Sequence, residues 1–268
     1  MLLSSNDLEP VEVLGPNEPS AFFIVCDHAG RMVPRALESL GLSDDELGRH
    51  IAWDIGAAAV ARRLAEALSA SAILQRYSRL VIDCNRPLDA TDSIVRRSEA
   101  TDVPGNLRIT QADAHARANA VFHPYHDAIR DALDGRAAQN RPTVLVALHS
   151  FTPVLLAQAR PWHAGVLHNR DARLAAPLLA ALRSEADLVV GDNEPYAASD
   201  RTDYTLVNHG ERRGIPCVEL EIRQDLIATS EGQCAWAERL ARLLPVALAS
   251  FDPTAAKVAA RPKPPSTE

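Results

Sequence analysis

None of the four cysteines in this 268-residue chain lies in a Cys-x-x-Cys pair, which excludes a zinc ribbon. Cys26, Cys84, Cys217 and Cys234 stand far apart in apolar stretches and read as buried thiols that pack like small apolar residues. The chain also lacks a cationic excess: its formal charge of -7 excludes a dedicated nucleic-acid surface, because phosphate binding needs a basic footprint. No apolar run is long enough to span a bilayer, and residues 1–10 carry acidic side chains without the basic-then-apolar order of a signal peptide. A cytoplasmic protein with no membrane partner is the expectation. Neither a Walker signature nor Gly-x-Gly-x-x-Gly occurs, and Ser150 lacks the flanking glycines of a nucleophile elbow, which argues against phosphate-loop and serine-hydrolase chemistry.

What is present is a recurrence of short apolar runs, at 21–26, 80–82, 143–148, 163–167, 188–190 and 217–222, each read as a fully buried strand. Helical periods lie between them. Ile51, Ile55, Ala58, Ala59, Leu64 and Leu68 mark one helix; Ser43 with Glu46, and Thr110 with Asp113, have start-signal spacing for two more, the second running to about Leu133. Further periods cover 174–182 and 234–244. Strands alternating with helices of this length predict a three-layer α/β fold, a mostly parallel or mixed central sheet with helices on both faces. Residues 1–251 are read as one domain. Residues 89–107 have no period and predict a long surface loop or lid, and 252–268, rich in Pro, Ala and Lys, predict a disordered tail.

Ligands of open α/β sheets gather beyond the carboxyl ends of the strands, so the polar residues after each apolar run carry the information. They are Asp27-His28, Asp83-Cys84-Asn85-Arg86, His149-Ser150 and Glu219-Leu220-Glu221-Ile222-Arg223. Two histidines, carboxylates and arginines converging on one edge suit a divalent metal with an open position, a general base, and cations for a small anionic substrate or a developing oxyanion. Each residue alone has an ordinary structural reading, a hydrogen-bonded core histidine or an ion-paired arginine. His115, His123 and His126 fall on the long helix and are read as solvated or substrate-facing. His168 and His209 follow apolar segments and are candidates to touch substrate.

The run Tyr77-Ser78-Arg79-Leu80-Val81-Ile82-Asp83-Cys84-Asn85-Arg86-Pro87, the step Pro124-Tyr125-His126, and the segments Leu148-His149-Ser150-Phe151, Gly191-Asp192-Asn193-Glu194-Pro195-Tyr196, Asn208-His209-Gly210 and Glu219-Leu220-Glu221-Ile222-Arg223 together resemble the N-formylglutamate amidohydrolase family, within the zinc carboxypeptidase-like superfamily. The likeness covers about 22–227. It implies a phosphorylase/hydrolase-like sheet and a divalent metal, zinc by preference, held by His28 and His149. Glu221 would be the general base. Asn85 and Arg86 would bind a substrate carboxylate, Arg79 and Arg223 compete for the oxyanion role, and His126 and His209 are further substrate-binding candidates. The implied activity is release of formate from N-formyl-L-glutamate, with another N-acyl amino acid or a non-catalytic binding protein as alternatives.

One departure stands out. Zinc carboxypeptidases draw two ligands from a His-x-x-Glu pair, but Arg31 stands three residues after His28 and cannot ligate a cation. Asp54 is the first candidate for the third ligand, against its reading as a helix N-cap. Asp27 is the fallback, with orientation of His28 as its other reading.

Overall fold

The computed structural model describes residues 2–15 and 17–252, so all of the expected tail beyond Asp252 lies outside the described residues. Seven strands form the central sheet: β1 (Val11–Leu14), β2 (Phe22–Cys26), β3 (Ser71–Gln75), β4 (Val144–Phe151), β5 (Ala164–Leu167), β6 (Val190–Asp192) and β7 (Cys217–Arg223). Their spatial order is β1-β3-β2-β4-β7-β5-β6. The four central strands run parallel, β1 joins antiparallel at one edge, and β5 lies antiparallel to β7 but parallel to β6. The sheet is therefore mixed, with helices on both faces, as the alternation of strand and helix predicts.

Helices α1 (Ala57–Ala67), α3 (Ala175–Arg183) and α4 (Ser230–Phe251) cover one face, where Leu64, Leu178 and Leu240 pack on Ile24, Val146 and Leu220. Helix α2 (His123–Ala138) covers the other, with Tyr125, Ile129 and Leu133 against Phe23, Val25 and Leu145. Successive strand side chains alternate between faces, so odd-numbered positions of β2, β4 and β7 all point toward the α2 layer. That face is apolar until the carboxyl ends of the strands, where Asp27, His149, Glu219 and Glu221 take over. Register brings them together: Glu221 pairs with His149 across β7 and β4, and Val25, two residues before Asp27, pairs with Ala147, two before His149.

Two local expectations are corrected. Residues 80–82 are not a strand but a buried turn, because side chains satisfy their carbonyls: Asn106 Nδ2 donates to Leu80 at 2.8 Å and Arg117 to Val81 at 2.9 Å. The strand in this part of the chain is β3, whose apolar run is only three residues long between the buried polar residues Ser71 and Gln75. The helix expected from Ile51 begins at Ala57. Both start signals hold, since Ser43 with Glu46 and Thr110 with Asp113 form reciprocal capping boxes. Cys26, Cys84 and Cys217 are buried thiols, and Cys234 is partly buried. Among the described residues no helix is long and apolar enough to cross a membrane.

Candidate active site

His28 lies just past β2, and Asp54 lies just ahead of α1. The main chain joins them, with the Asp54 N–H donating to the His28 carbonyl at 2.9 Å. Between Asp54 and the helix, Gly56 adopts φ +82°, and a Cβ there would fall 2.2 Å from the Ile227 carbonyl oxygen, so only glycine lets the chain turn here against the segment after β7. Gly56 occupies the N-cap position of α1, and no side chain caps it. The carboxylate of Asp54 is turned inward instead. Its Oδ2 accepts from the Ser150 N–H at 3.3 Å and lies 2.9 Å from His149 Nδ1 and 3.4 Å from His28 Nδ1. The N-cap reading of Asp54 is thereby replaced by a place beside both histidines.

Each imidazole is held from behind by a second aspartate. His28 Nε2 lies 2.7 Å from Asp83 Oδ1, and His149 Nε2 lies 3.0 Å from Asp27 Oδ2. Asp27 thus orients His149 and not its chain neighbour His28, and the Thr205 hydroxyl donates to its other oxygen. With each Nε2 turned to its own aspartate, both Nδ1 atoms face Asp54 Oδ2. Among the described residues the buried His28 Nδ1 has no hydrogen-bond partner. These three donor atoms lie within 4.8 Å of one another. A converging set of two imidazoles and a carboxylate, each imidazole backed by an aspartate, fits a divalent cation in donor type and orientation. The electrostatics favour positive charge at this point: burial lowers His149, but the carboxylates of Glu219, Asp27 and Asp54 more than reverse this and hold it well above 6.5. Burial likewise raises Asp54, and His28 and His149 outweigh it, leaving its carboxyl far below the ordinary range.

Glu221 stands next to His149 on the adjacent strand and is buried, and its Oε2 has no hydrogen-bond partner among the described residues. Burial, helped by the charge of Asp54, pushes its carboxyl up to about 7. Glu219, two residues earlier on the same face, accepts from Asn85 Nδ2 at 3.3 Å. Arg79 clasps Asp83 Oδ2 through Nε at 3.1 Å and Nη2 at 2.7 Å, while Nη1 sits 3.5 Å from Asp54. All of these groups line a cavity of about 380 Å³. Asp92, Val95, Ser98 and Glu99 close the same cavity from the loop expected as a lid. Arg31 is exposed and stacks on Trp53, away from the donor set.

The substrate-binding expectations fare unevenly. Asn85 and Arg86 line the cavity. Asn85 is already engaged, its Oδ1 accepting from the Thr205 N–H at 3.0 Å, and Arg86 donates to Asp92 at 2.9 Å and to the Thr202 carbonyl. Arg223 does not line the cavity: the next segment turns back after β7, and Asp225 takes its guanidinium at 2.8 Å. His126 and His209 are not cavity residues either. His126 Nε2 donates to the Cys84 carbonyl at 2.8 Å, and its Nδ1 meets His209 Nε2 at 2.9 Å, so the pair is consumed in holding the Asp83-Asn85 turn. Burial pushes His126 down to about 4 and His209 down to about 3. His115 and His123 are exposed, and His168 pairs with Asp192 at 3.1 Å outside the cavity. Sequence reasoning gave no role to Asp83, although the aspartate opens the Asp-Cys-Asn-Arg motif. It also passed over His50, Tyr196 and Arg160, for which no strand-end position gave a signal.

The chain matches the N-formylglutamate amidohydrolase family over residues 20–228. Among curated proteins none matches it. A gene product of Agrobacterium tumefaciens of known crystal structure is 39% identical, with 94% of this chain and 100% of that one covered and a TM-score of 0.91. The N-formylglutamate amidohydrolase of Ralstonia eutropha JMP134 shares the fold at 20% identity and a TM-score of 0.67, over 90% of this chain and 97% of that one.

Proposed function

The chain belongs to the N-formylglutamate amidohydrolase family, and from that premise we propose that it hydrolyses the amide of a small N-acyl amino acid, N-formyl-L-glutamate before others, with a divalent ion held by His28, Asp54 and His149. Zinc is the ion that this nitrogen and oxygen donor set suits best. The observation that carries the reading is the convergence of the two Nδ1 atoms and Asp54 Oδ2 beside Glu221 in one cavity. When bound, such an ion supplies Lewis acidity and lowers the pKa of a water to about 7.

The chain's own residues account for the remaining steps. Glu221, with a carboxyl near 7, is substantially ionised at neutral pH and takes a proton from the attacking water. The absence of a partner on Oε2 among the described residues leaves that oxygen free to do so. As the carbonyl carbon becomes tetrahedral, the charge on its oxygen is met by the Arg79 guanidinium, which Asp83 holds in place. Glu221 then returns the proton to the departing amine, which leaves as glutamate while formate is freed. The lid residues around Asp92 and Glu99 limit the access of bulk water.

Formate release from N-formyl-L-glutamate, measured together with the zinc content of the purified protein, tests the proposal. We expect stoichiometric zinc and turnover. Glu221→Gln should keep the zinc and lose on the order of 10²- to 10⁴-fold in rate. Full turnover by that variant, or turnover by a protein stripped of metal, would remove the residue or the ion from the reaction.

A further inference from the structure

The proposed substrate carries two carboxylates, yet the two arginines lining the cavity are already committed. Arg79 is paired with Asp83 and Asp54 and is assigned to the carbonyl oxygen of the scissile amide, and Arg86 is paired with Asp92 and with main-chain carbonyls. A dicarboxylate entering a cavity this rich in acidic groups needs a further cation. Arg160, which stands against two cavity-lining rings and not in the lining itself, meets the description. Among the described residues it has no carboxylate partner, and its guanidinium lies 4.6 Å from the Tyr196 ring centre and 5.8 Å from that of Phe151, both of them cavity-lining rings.

The placement is built by the fold. Directly after β4, the strand that carries His149, the chain forms a small hairpin in which Val154 pairs with Ala159 and Leu155 with Gln158. The Arg160 N–H closes its base on the Pro153 carbonyl at 2.8 Å. Leu155 of this hairpin lines the cavity, and Tyr196, 43% exposed, marks its rim. Arg160 Nη1 donates to the Tyr196 hydroxyl at 2.7 Å, which fixes the plane of the fork and leaves its other donors for a ligand. Tyr196 lines the same cavity as Glu221 and Arg79 while holding Arg160 through its hydroxyl.

Resting on the hydrolytic reading above, we propose that Arg160, oriented by Tyr196 and Phe151, is the specificity determinant of this site and binds the substrate carboxylate farther from the scissile amide. Acidic formyl-amino acids are then favoured over neutral ones of the same shape. Two parallel hydrogen bonds from a guanidinium to a carboxylate supply both the affinity and the orientation.

Product binding tests this independently of turnover. The unaltered protein, supplied with zinc, is titrated calorimetrically with L-glutamate and with its neutral isostere L-glutamine, and so are Arg160→Met and Arg160→Lys. We expect L-glutamate to bind about tenfold tighter or more, the preference to vanish in Arg160→Met, and Arg160→Lys to fall between. Equal binding of the two ligands by the unaltered protein, or an undiminished preference in Arg160→Met, overturns the assignment. A protein that prefers L-glutamate through Arg160 but releases no formate from N-formyl-L-glutamate would overturn the hydrolytic reading and leave the Arg160 subsite standing.

Discussion

Two pairs of buried histidines lie in this protein, and they differ in what stands behind them. His28 and His149 meet edge to face with ring centres 5.0 Å apart, and His126 and His209 stack with centres 5.2 Å apart. Burial and proximity are alike, but protonation is not. The first pair turns its Nε2 atoms to Asp83 and Asp27 and its Nδ1 atoms to a third aspartate. The second gives one proton to a carbonyl and the other to its own partner, and desolvation holds both imidazoles neutral. Carboxylates behind and in front of an imidazole, and not its position at a strand end, separate a candidate ligand from a structural group.

The largest effect expected from breaking this difference comes from removing a member of the first pair. His149→Ala should abolish stoichiometric zinc and lower turnover by on the order of 10³-fold, since the ion's contribution to the barrier amounts to several kcal/mol. His209→Gln, measured by the same metal analysis, should keep its zinc. Loss of metal from His209→Gln would erase the distinction between the pairs.

A smaller effect isolates the group behind the ligand. Asp27→Asn keeps the shape beside His149 Nε2 but weakens the acceptor, and metal affinity should fall about 10- to 100-fold in a competition titration with a chelator. An unchanged affinity would show that Asp27 contributes only to packing with Thr205.

The smallest effect belongs to the second pair and is read in stability. Because the folded values of His126 and His209, about 4 and about 3, lie below the ordinary 6.5, the unfolded chain binds protons that the folded chain refuses as the pH falls. Their contribution is fully present above pH 6.5 and declines as the pH falls from there, toward 4 for His126 and toward 3 for His209, by about 1.4 kcal/mol per pH unit for each proton taken up on unfolding. Urea unfolding of the unaltered protein and of His126→Gln at pH 7 and pH 5 measures this. The variant should lose less stability between the two pH values, and parallel losses would mean that other groups dominate the acid response.

Legibility in the sequence varied with how local the deciding interactions are. The capping boxes at Ser43 and Thr110 and the buried strands β2, β4 and β7 were readable because a hydroxyl three residues from an acid, or an unbroken apolar run, acts within its own segment. Strand β3 was not, since Ser71 and Gln75 find partners as distant as Gly15 and Cys84 and so appear polar in isolation. Residues 80–82 misled for the opposite reason: an apolar run whose carbonyls are claimed by Asn106 and Arg117 has no need of a ladder. At the site, Arg223 and the pair His126 and His209 had the right residue types and order, but Arg223 is taken by a partner two residues away and the two histidines, 83 residues apart, take each other.

By itself the sequence determined the three-layer α/β class, the family, and the cluster of strand-end residues from which His28, His149 and Glu221 come, because periodicity and motif order are properties of the chain alone. Only the tertiary structure decided that Asp54 joins the two histidines, that Asp83 and Asp27 stand behind them, and that Arg160 has no carboxylate among the described residues. Those outcomes depend on which proton goes to which acceptor, and the acceptors come from segments 55, 95 and 122 residues apart in the chain. Where every buried donor seeks a partner, the choice among partners is settled by the packed arrangement and not by the order of residues.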